Sequence, residues 1–221
     1  MRPDTLPADL IALPGAYRPQ ADTRLLAEAL ALEESGPGTD VLEIGTGTGV
    51  LALQAAGRGA RVTAVDVSWP AVITARLNAI RRRLPLRVLH GDFAGRTAGH
   101  RFDLIVTNPP YVPAPAGQVP ARGSERAWDA GPDGRAVIDR VCVRAPALLR
   151  PGGVLLMVHS GMCGTDETLQ RLARTGLAAE VTRRASVPWG PVLCSRRAWL
   201  ERRGLAAEAE ETEELVVIRA R

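Results

Sequence analysis

Between Val41 and Val158 the chain repeats one pattern: a short apolar run, then a stretch long enough for a helix. The runs are Val41–Ile44, Arg61–Val67, Leu86–His90, Phe102–Thr107 and Val154–Val158. Runs that are apolar throughout, rather than alternating, belong to strands covered on both faces, and helix-length connections return the chain for another parallel strand. The expected fold class is therefore α/β, a mostly parallel Rossmann-like sheet with helices on both faces. In such sheets ligands bind at the carboxyl ends of the strands, so those ends are where chemistry is sought.

The flanking segments divide the chain into an N-terminal arm and helix, 1–38, and a main domain, 39–221. Residues 1–20 hold four prolines and read as an extended arm. Asp22 or Thr23 is placed to cap a helix reaching Glu34, stopped by Ser35-Gly36-Pro37-Gly38. A second helix is expected over 50–56. Ser68 caps a third through Arg83, with Pro70 in its first turn, where a missing N–H costs least. Asp133 to Leu149 reads as a helix that Pro146 breaks or kinks. Two further strands are expected near Glu180–Val187 and Glu214–Arg219.

With 46% hydrophobic residues in 221, the chain can bury a full core. No apolar run approaches the roughly 18 residues of a membrane span. Arg2, Pro3 and Asp4 do not form a secretory signal, so a cytoplasmic protein is expected. Cys142, Cys163 and Cys194 form no CxxC pair, and His90, His100 and His159 show no ligand spacing, so no metal site is expected. The formal charge is +4 and every basic residue is arginine. Clusters such as Arg81-Arg82-Arg83 fit either a solvated helix face or a patch for an acidic partner.

Two stretches carry the chemistry. The first strand ends in Glu43-Ile44-Gly45-Thr46-Gly47-Thr48-Gly49. Glycines there let the backbone turn tightly and let a ligand approach closely. The second strand ends at Asp66, where a carboxylate can accept both hydroxyls of a ribose, and the third runs into Asp92, which can accept from an adenine amino group, with Phe93 beside it to pack near the ring. A glycine turn and two acids on successive strand ends resemble the class I S-adenosylmethionine-dependent methyltransferases. That resemblance implies S-adenosyl-L-methionine as cofactor, seven strands with the last antiparallel, and Glu43 holding the cationic methionine end, usually through water.

The fourth strand ends in Asn108-Pro109-Pro110-Tyr111. Consecutive prolines force an extended, stiff exit. The Asn108 side-chain oxygen and the Pro109 carbonyl can then both accept from an NH2 group, while Tyr111 offers a flat face to a planar amide or base. Direct displacement needs no metal and no covalent nucleophile, and positioning supplies most of the rate. The long Pro/Gly/Ala-rich segment 112–132 reads as a substrate-facing lid.

The Asn108–Tyr111 motif resembles that of amino-methyltransferases acting on DNA adenine, RNA guanine or protein glutamine. Tyr17-Arg18-Pro19-Gln20-Ala21-Asp22-Thr23 and Ala127–Arg135 are similar to the short, eukaryotic and archaeal type of release-factor glutamine N5-methyltransferase. Gln20 and Ala21 depart from that family's usual pair. The resemblance implies that Thr23, Glu43, Gly45, Asp66, Val67, Asp92 and Asn108 contact the cofactor, with Gly47 and Phe93 in the same site, and that Asn108, Pro109, Pro110 and Tyr111 hold the acceptor. It implies a protein or peptide substrate such as a release factor, and a small zinc-containing activator protein as partner. Alternatives are a small-molecule or peptide amine as acceptor, N6-adenine methylation of nucleic acid, and a non-catalytic binding protein on the cofactor fold.

Overall fold

A computed structural model describes residues 9–117, 119–121 and 123–221. The first eight residues of the expected arm, and Gln118 and Arg122 of the expected lid, lie outside the described residues. The elements in chain order are α1 (Ala21–Leu32), β1 (Asp40–Ile44), α2 (Val50–Gly57), β2 (Arg61–Asp66), α3 (Trp69–Arg82), β3 (Leu86–His90), α4 (Phe93–Arg96) and β4 (Phe102–Thr107). They continue with α5 (Ala136–Leu148), β5 (Leu149–Ser160), α6 (Thr165–Arg174), β6 (Ala179–Pro188), α7 (Pro191–Arg202) and β7 (Thr212–Ala220).

The strands form one seven-stranded sheet in the order β3-β2-β1-β4-β5-β7-β6. The first five are parallel, and β7 runs antiparallel to both β5 and β6. This is the α/β sheet expected from the sequence, including the reversed last strand. Central strands β1 and β4 are buried along nearly their whole length, whereas edge strand β6 alternates inward and outward residues, as burial on two faces or one requires. The core joins Leu42, Ile105, Leu155 and Leu156 of the sheet to Leu26 and Leu30 of α1 and Ile138 of α5.

Three local readings are corrected. Neither Asp22 nor Thr23 caps α1: the cap position is Gln20, without a side-chain bond, and both residues lie buried in the first turn. Pro146 does not break α5 but sits in its last turn, two residues before Leu148, where the missing N–H removes a single ladder bond. The helix starts at Ala136 rather than Asp133. Helices α6 and α7 were not read from the sequence. Helix α6 is short and strongly one-sided, burying Thr168 and Leu172 beneath a charged outer face, whereas α7 mixes apolar and basic residues without a clear face.

Because α1 shares the core of the sheet, Leu26→Ala should remove about 2–5 kcal/mol and lower the midpoint of a single cooperative melt. A separate low-temperature transition for the N-terminal segment would show instead that α1 is independently hung on the domain.

Candidate functional site

Strand order reverses between β1 and β4, whose chains lead to opposite sides of the sheet. Their register pairs Ile44 with Thr107, the last residue of each strand. The Thr107 hydroxyl donates to the Ile44 carbonyl at 3.0 Å. Gly45 and Asn108 therefore leave the sheet side by side, at the switch point where this architecture opens a crevice. A cavity of about 330 Å³ lies there.

All the expected site residues line this one cavity: Thr23, Glu43, Gly45, Gly47, Asp66, Val67, Asp92, Phe93, Asn108, Pro109, Pro110 and Tyr111. The glycine turn takes its shape from need. Gly47 has φ +53°, and a Cβ there would meet the Tyr17 carbonyl of the arm at 3.4 Å. Gly49 has φ +81° and would press on Ala75 of α3 at 3.0 Å. Only glycine tolerates both the dihedrals and the approach.

Glu43 is nearly inaccessible, and its Oε2 accepts from the Thr46 hydroxyl and from the Ala52 N–H at 3.1 Å. Burial pushes its carboxyl up to about 8 despite those donors. Asp66 is aimed by two backbone donors, Gly47 N–H at 3.0 Å and Ser68 N–H at 2.8 Å, one on each oxygen. Burial raises its pKa as well, partly offset by those N–H groups and by the lid's Arg126. Asp92 caps α4 by accepting from Ala94 N–H at 3.1 Å and pairs with Arg140 at 2.6 Å. The same guanidinium lies 5.4 Å from the centre of the Phe93 ring.

At the other end of the cavity, Asn108 donates from Nδ2 to Asp22 Oδ2 at 2.9 Å and to Thr23 Oγ1 at 3.3 Å. Tyr17 and Tyr111 also donate their hydroxyls to Asp22 Oδ2, at 2.7 and 3.2 Å. Burial, then the nearby Asp22, drives both phenols well above their ordinary pKa. They stay protonated donors. Asp22, Tyr17, Trp128 and Arg140 line the cavity and were not singled out as site residues. The available signals were that Tyr17 and Asp22 stand in the quoted motif beside Thr23 and that Trp128 stands in the quoted Ala127–Arg135 stretch.

The base of the 112–132 loop is tied together by backbone bonds. Val112 N–H bonds the Trp128 carbonyl at 2.7 Å, Ala130 N–H the Val112 carbonyl at 3.0 Å, and Ala114 N–H the Gly131 carbonyl at 2.9 Å, closing the base of the loop. Arg196 of α7 clamps that base through the Pro113 carbonyl at 2.9 Å and Asp129 at 2.7 Å. Buried Arg135 ties the segment after the lid to the Cys163 and Gly164 carbonyls and to Thr168. Gly134 has φ +72°, and a Cβ there would overlap the Tyr111 carbonyl. Among the described residues no group of three or more His, Cys, Asp or Glu is placed to hold a metal ion, and no helix is long and apolar enough to cross a membrane.

Residues 10–120 match the model of the Methyltransferase small domain family. The chain belongs to that family. It is 33% identical over 177 residues to a putative protein N5-glutamine methyltransferase of Methanocaldococcus jannaschii, covering 80% of this chain and 88% of that one. It is 34% identical to the release factor glutamine methyltransferase of Geobacter sulfurreducens, covering 76% of this chain but only 61% of that longer protein. Among solved structures, the E. cuniculi Mtq2–Trm112 complex, which methylates the termination factor eRF1, matches with TM-score 0.65 and 23% identity over 93% of this chain and 98% of that one, a likeness of fold. The fold is that of the class I methyltransferases, and membership of the family makes the chain a methyltransferase, which implies S-adenosylmethionine as methyl donor.

The raised carboxyl of Glu43 fixes the sign of one pH effect. Between the unfolded value of 4.5 and the folded value of about 8, the folded protein keeps a proton that the unfolded chain loses. Stability of the cofactor-free protein should therefore fall as pH rises from about 5 to about 9. Glu213, pushed by burial up to about 7, adds to the same fall. Glu43→Gln should flatten the melting-temperature slope over that window, and an unchanged slope would contradict the burial of an ionisable Glu43.

Proposed function

We propose that this chain transfers the methyl group of S-adenosylmethionine to the N5 side-chain amide of a protein glutamine, in a release factor. The observation that carries the reading is the orientation of Asn108. Both hydrogens of its NH2 are directed at Asp22 and Thr23, so Oδ1, on the opposite arm of the planar amide, is the atom free to accept from a ligand NH2. The curated relatives support glutamine as the acceptor.

The cavity suits the cofactor. A glycine cradle whose positive dihedrals disfavour any side chain and three carboxyls spaced along the same wall match a ligand with an ammonium, a ribose diol and an adenine amino group. Asp66 would accept the ribose hydroxyls on lone pairs its two backbone donors leave open. Glu43 and Thr23 would face the methionine end, Gly45 and Gly47 would let its backbone approach, and Asp92, Val67 and Phe93 would bound the adenine. Burial raises the Glu43 and Asp66 carboxyls, and a cationic ligand would draw both back toward ionisation. When bound, the cofactor supplies an electrophilic methyl group. Asn108 Oδ1 and the Pro109 carbonyl hold the acceptor NH2, Tyr111 stacks on the amide plane, and the proline-stiffened exit keeps the three in fixed relation. The hydrogen bonds from the acceptor strengthen as its nitrogen gains positive charge, so they favour the transition state over the ground state.

An activator subunit, small and zinc-containing, is part of the proposal. It is supported by an apolar stripe along the outer face of α3: Trp69, Ile73, Leu77 and Ile80 are 56%, 45%, 39% and 73% exposed. These positions fall on one helical face, beside edge strand β3. The arm and α1 act as a strap on the cofactor domain: Asn78 of α3 bonds both the Ile11 backbone and the Thr48 carbonyl. A cytoplasmic setting follows from an acceptor that works on the ribosome.

The test is methyl labelling of a Gly-Gly-Gln release factor, duplex DNA and a small-amine pool, with and without an activator subunit. Label should enter the release factor, and label confined to DNA would overturn the reading. Asp66→Ala should weaken cofactor binding in calorimetry by at least about tenfold. Asn108→Ala should lower kcat by about 100-fold or more with binding spared. Full activity in the latter would remove Asn108 from the mechanism.

A further inference from the structure

We infer that Asp22 is the positioning residue that sets the hydrogen-bond polarity of the acceptor site, and through it the choice of a nitrogen over an oxygen acceptor. The inference rests on the reading of Asn108 given under Proposed function. It concerns a residue in the first turn of α1, not on the strand-exit motif itself.

Asp22 is 3% exposed, and both its oxygens are occupied. Oδ2 receives Tyr17 Oη, Asn108 Nδ2 and Tyr111 Oη at 2.7, 2.9 and 3.2 Å. Oδ1 receives the Thr23 N–H and hydroxyl at 2.5 and 3.0 Å. A carboxylate accepts and does not donate. Every group that faces it must therefore turn a hydrogen inward. For a phenol that choice is minor. For a primary amide it is decisive, because NH2 and oxygen have nearly the same shape and differ only in polarity. With Asp22 opposite, Asn108 can satisfy the buried carboxylate in one orientation only, and a flipped amide would set two acceptors 2.9 Å apart.

The consequence reaches the ligand. Asn108 Oδ1 becomes a fixed acceptor, so the partner it holds must bring N–H groups. A glutamine side chain does so, whereas a glutamate carboxylate would meet oxygen with oxygen. Asp22 touches neither acceptor nor reacting atoms in this scheme. It acts by removing the freedom of the amide to turn, and by binding Tyr111 at the same oxygen it holds the stacking ring to the same frame. The spacing of two elements far apart in sequence, α1 and the exit of β4, makes this possible.

A polarity swap tests it. Asp22→Asn lets residue 22 donate or accept and should lower kcat on a Gly-Gly-Gln release factor by about 100-fold. Donor affinity in calorimetry should fall by less than about tenfold, well short of the loss in kcat, because the oxygen that holds Thr23 can be retained. Asn108→Asp in the wild-type background places two carboxylates face to face and should be at least as damaging. The double variant, Asp22→Asn with Asn108→Asp, restores one donor opposite one acceptor and leaves a carboxylate oxygen toward the ligand. It should recover at least about tenfold over Asn108→Asp alone. Single losses that simply multiply, with no recovery, or a nearly unimpaired Asp22→Asn enzyme, would overturn the inference. A second readout needs no acceptor at all. In 15N-labelled protein the Asn108 side-chain NH2 should exchange slowly with water, and Asp22→Asn should accelerate it. Fast exchange in the wild type also overturns the inference. Failure of the wild type to label the release factor, with slow exchange observed, would count against the glutamine reading while upholding the role of Asp22.

Discussion

The parallel pairing of β1 with β4 is the contact on which the site depends. It aligns Ile44 with Thr107, so the glycine turn and the Asn-Pro-Pro-Tyr exit start from the same level of the sheet. The ladder continues outward through Gly45 N–H to the Val65 carbonyl at 2.9 Å and Gly91 N–H to the Asp66 carbonyl at 2.8 Å. Asp66 and Asp92 are carried into line by those bonds. A slip of one residue in either pairing would turn the strand-end side chains to the other face, separating the cradle from the acceptor corner.

The cavity gathers four carboxyl groups, and the protein treats each differently. Asp22 is surrounded by donors, and Asp92 is paired with Arg140 and partly open to water. Glu43 and Asp66 have donors too, yet burial outweighs them and raises both. Such a wall is unfavourable when it faces itself and favourable when it faces a cation, because an opposite charge restores the ionised form. A cationic ligand bound against this wall would draw both carboxyls back toward ionisation.

Around this centre the irregular segments are tied down by specific bonds. The arm is held by Asn78, the lid base by its own short ladder and by Arg196, and the segment beyond it by Arg135. Arg196 comes from α7, between β6 and β7, so the antiparallel end of the sheet has a direct grip on the base of the 112–132 loop. The small second core of Trp189, Leu193 and Leu200 packs against Val112, adding an apolar hold on the same loop.

Much of this was legible in the residues alone. Apolar runs named the strands because burial on two faces leaves no room for polar alternation. Consecutive prolines and closely spaced glycines named the two turns that line the cavity because few backbones admit them. Helix α7 was not legible, since it mixes apolar and basic residues without a clear face, whereas α6 carries a clear one-sided periodicity that was not read. Asp22 shows the limit most clearly. In sequence it is an acid at the start of a helix, and capping is the local use of such a residue. Of its actual partners, Tyr17 is five positions away, but Asn108 and Tyr111 reach it only when α1 lies across the exit of β4, a distance of up to 89 positions along the chain. Local composition thus determined the strands, the glycine cradle and the proline corner, each a matter of one residue and its neighbours. Which carboxylate meets which donor was decided by tertiary structure, because hydrogen-bond polarity belongs to pairs of groups that only folding brings together.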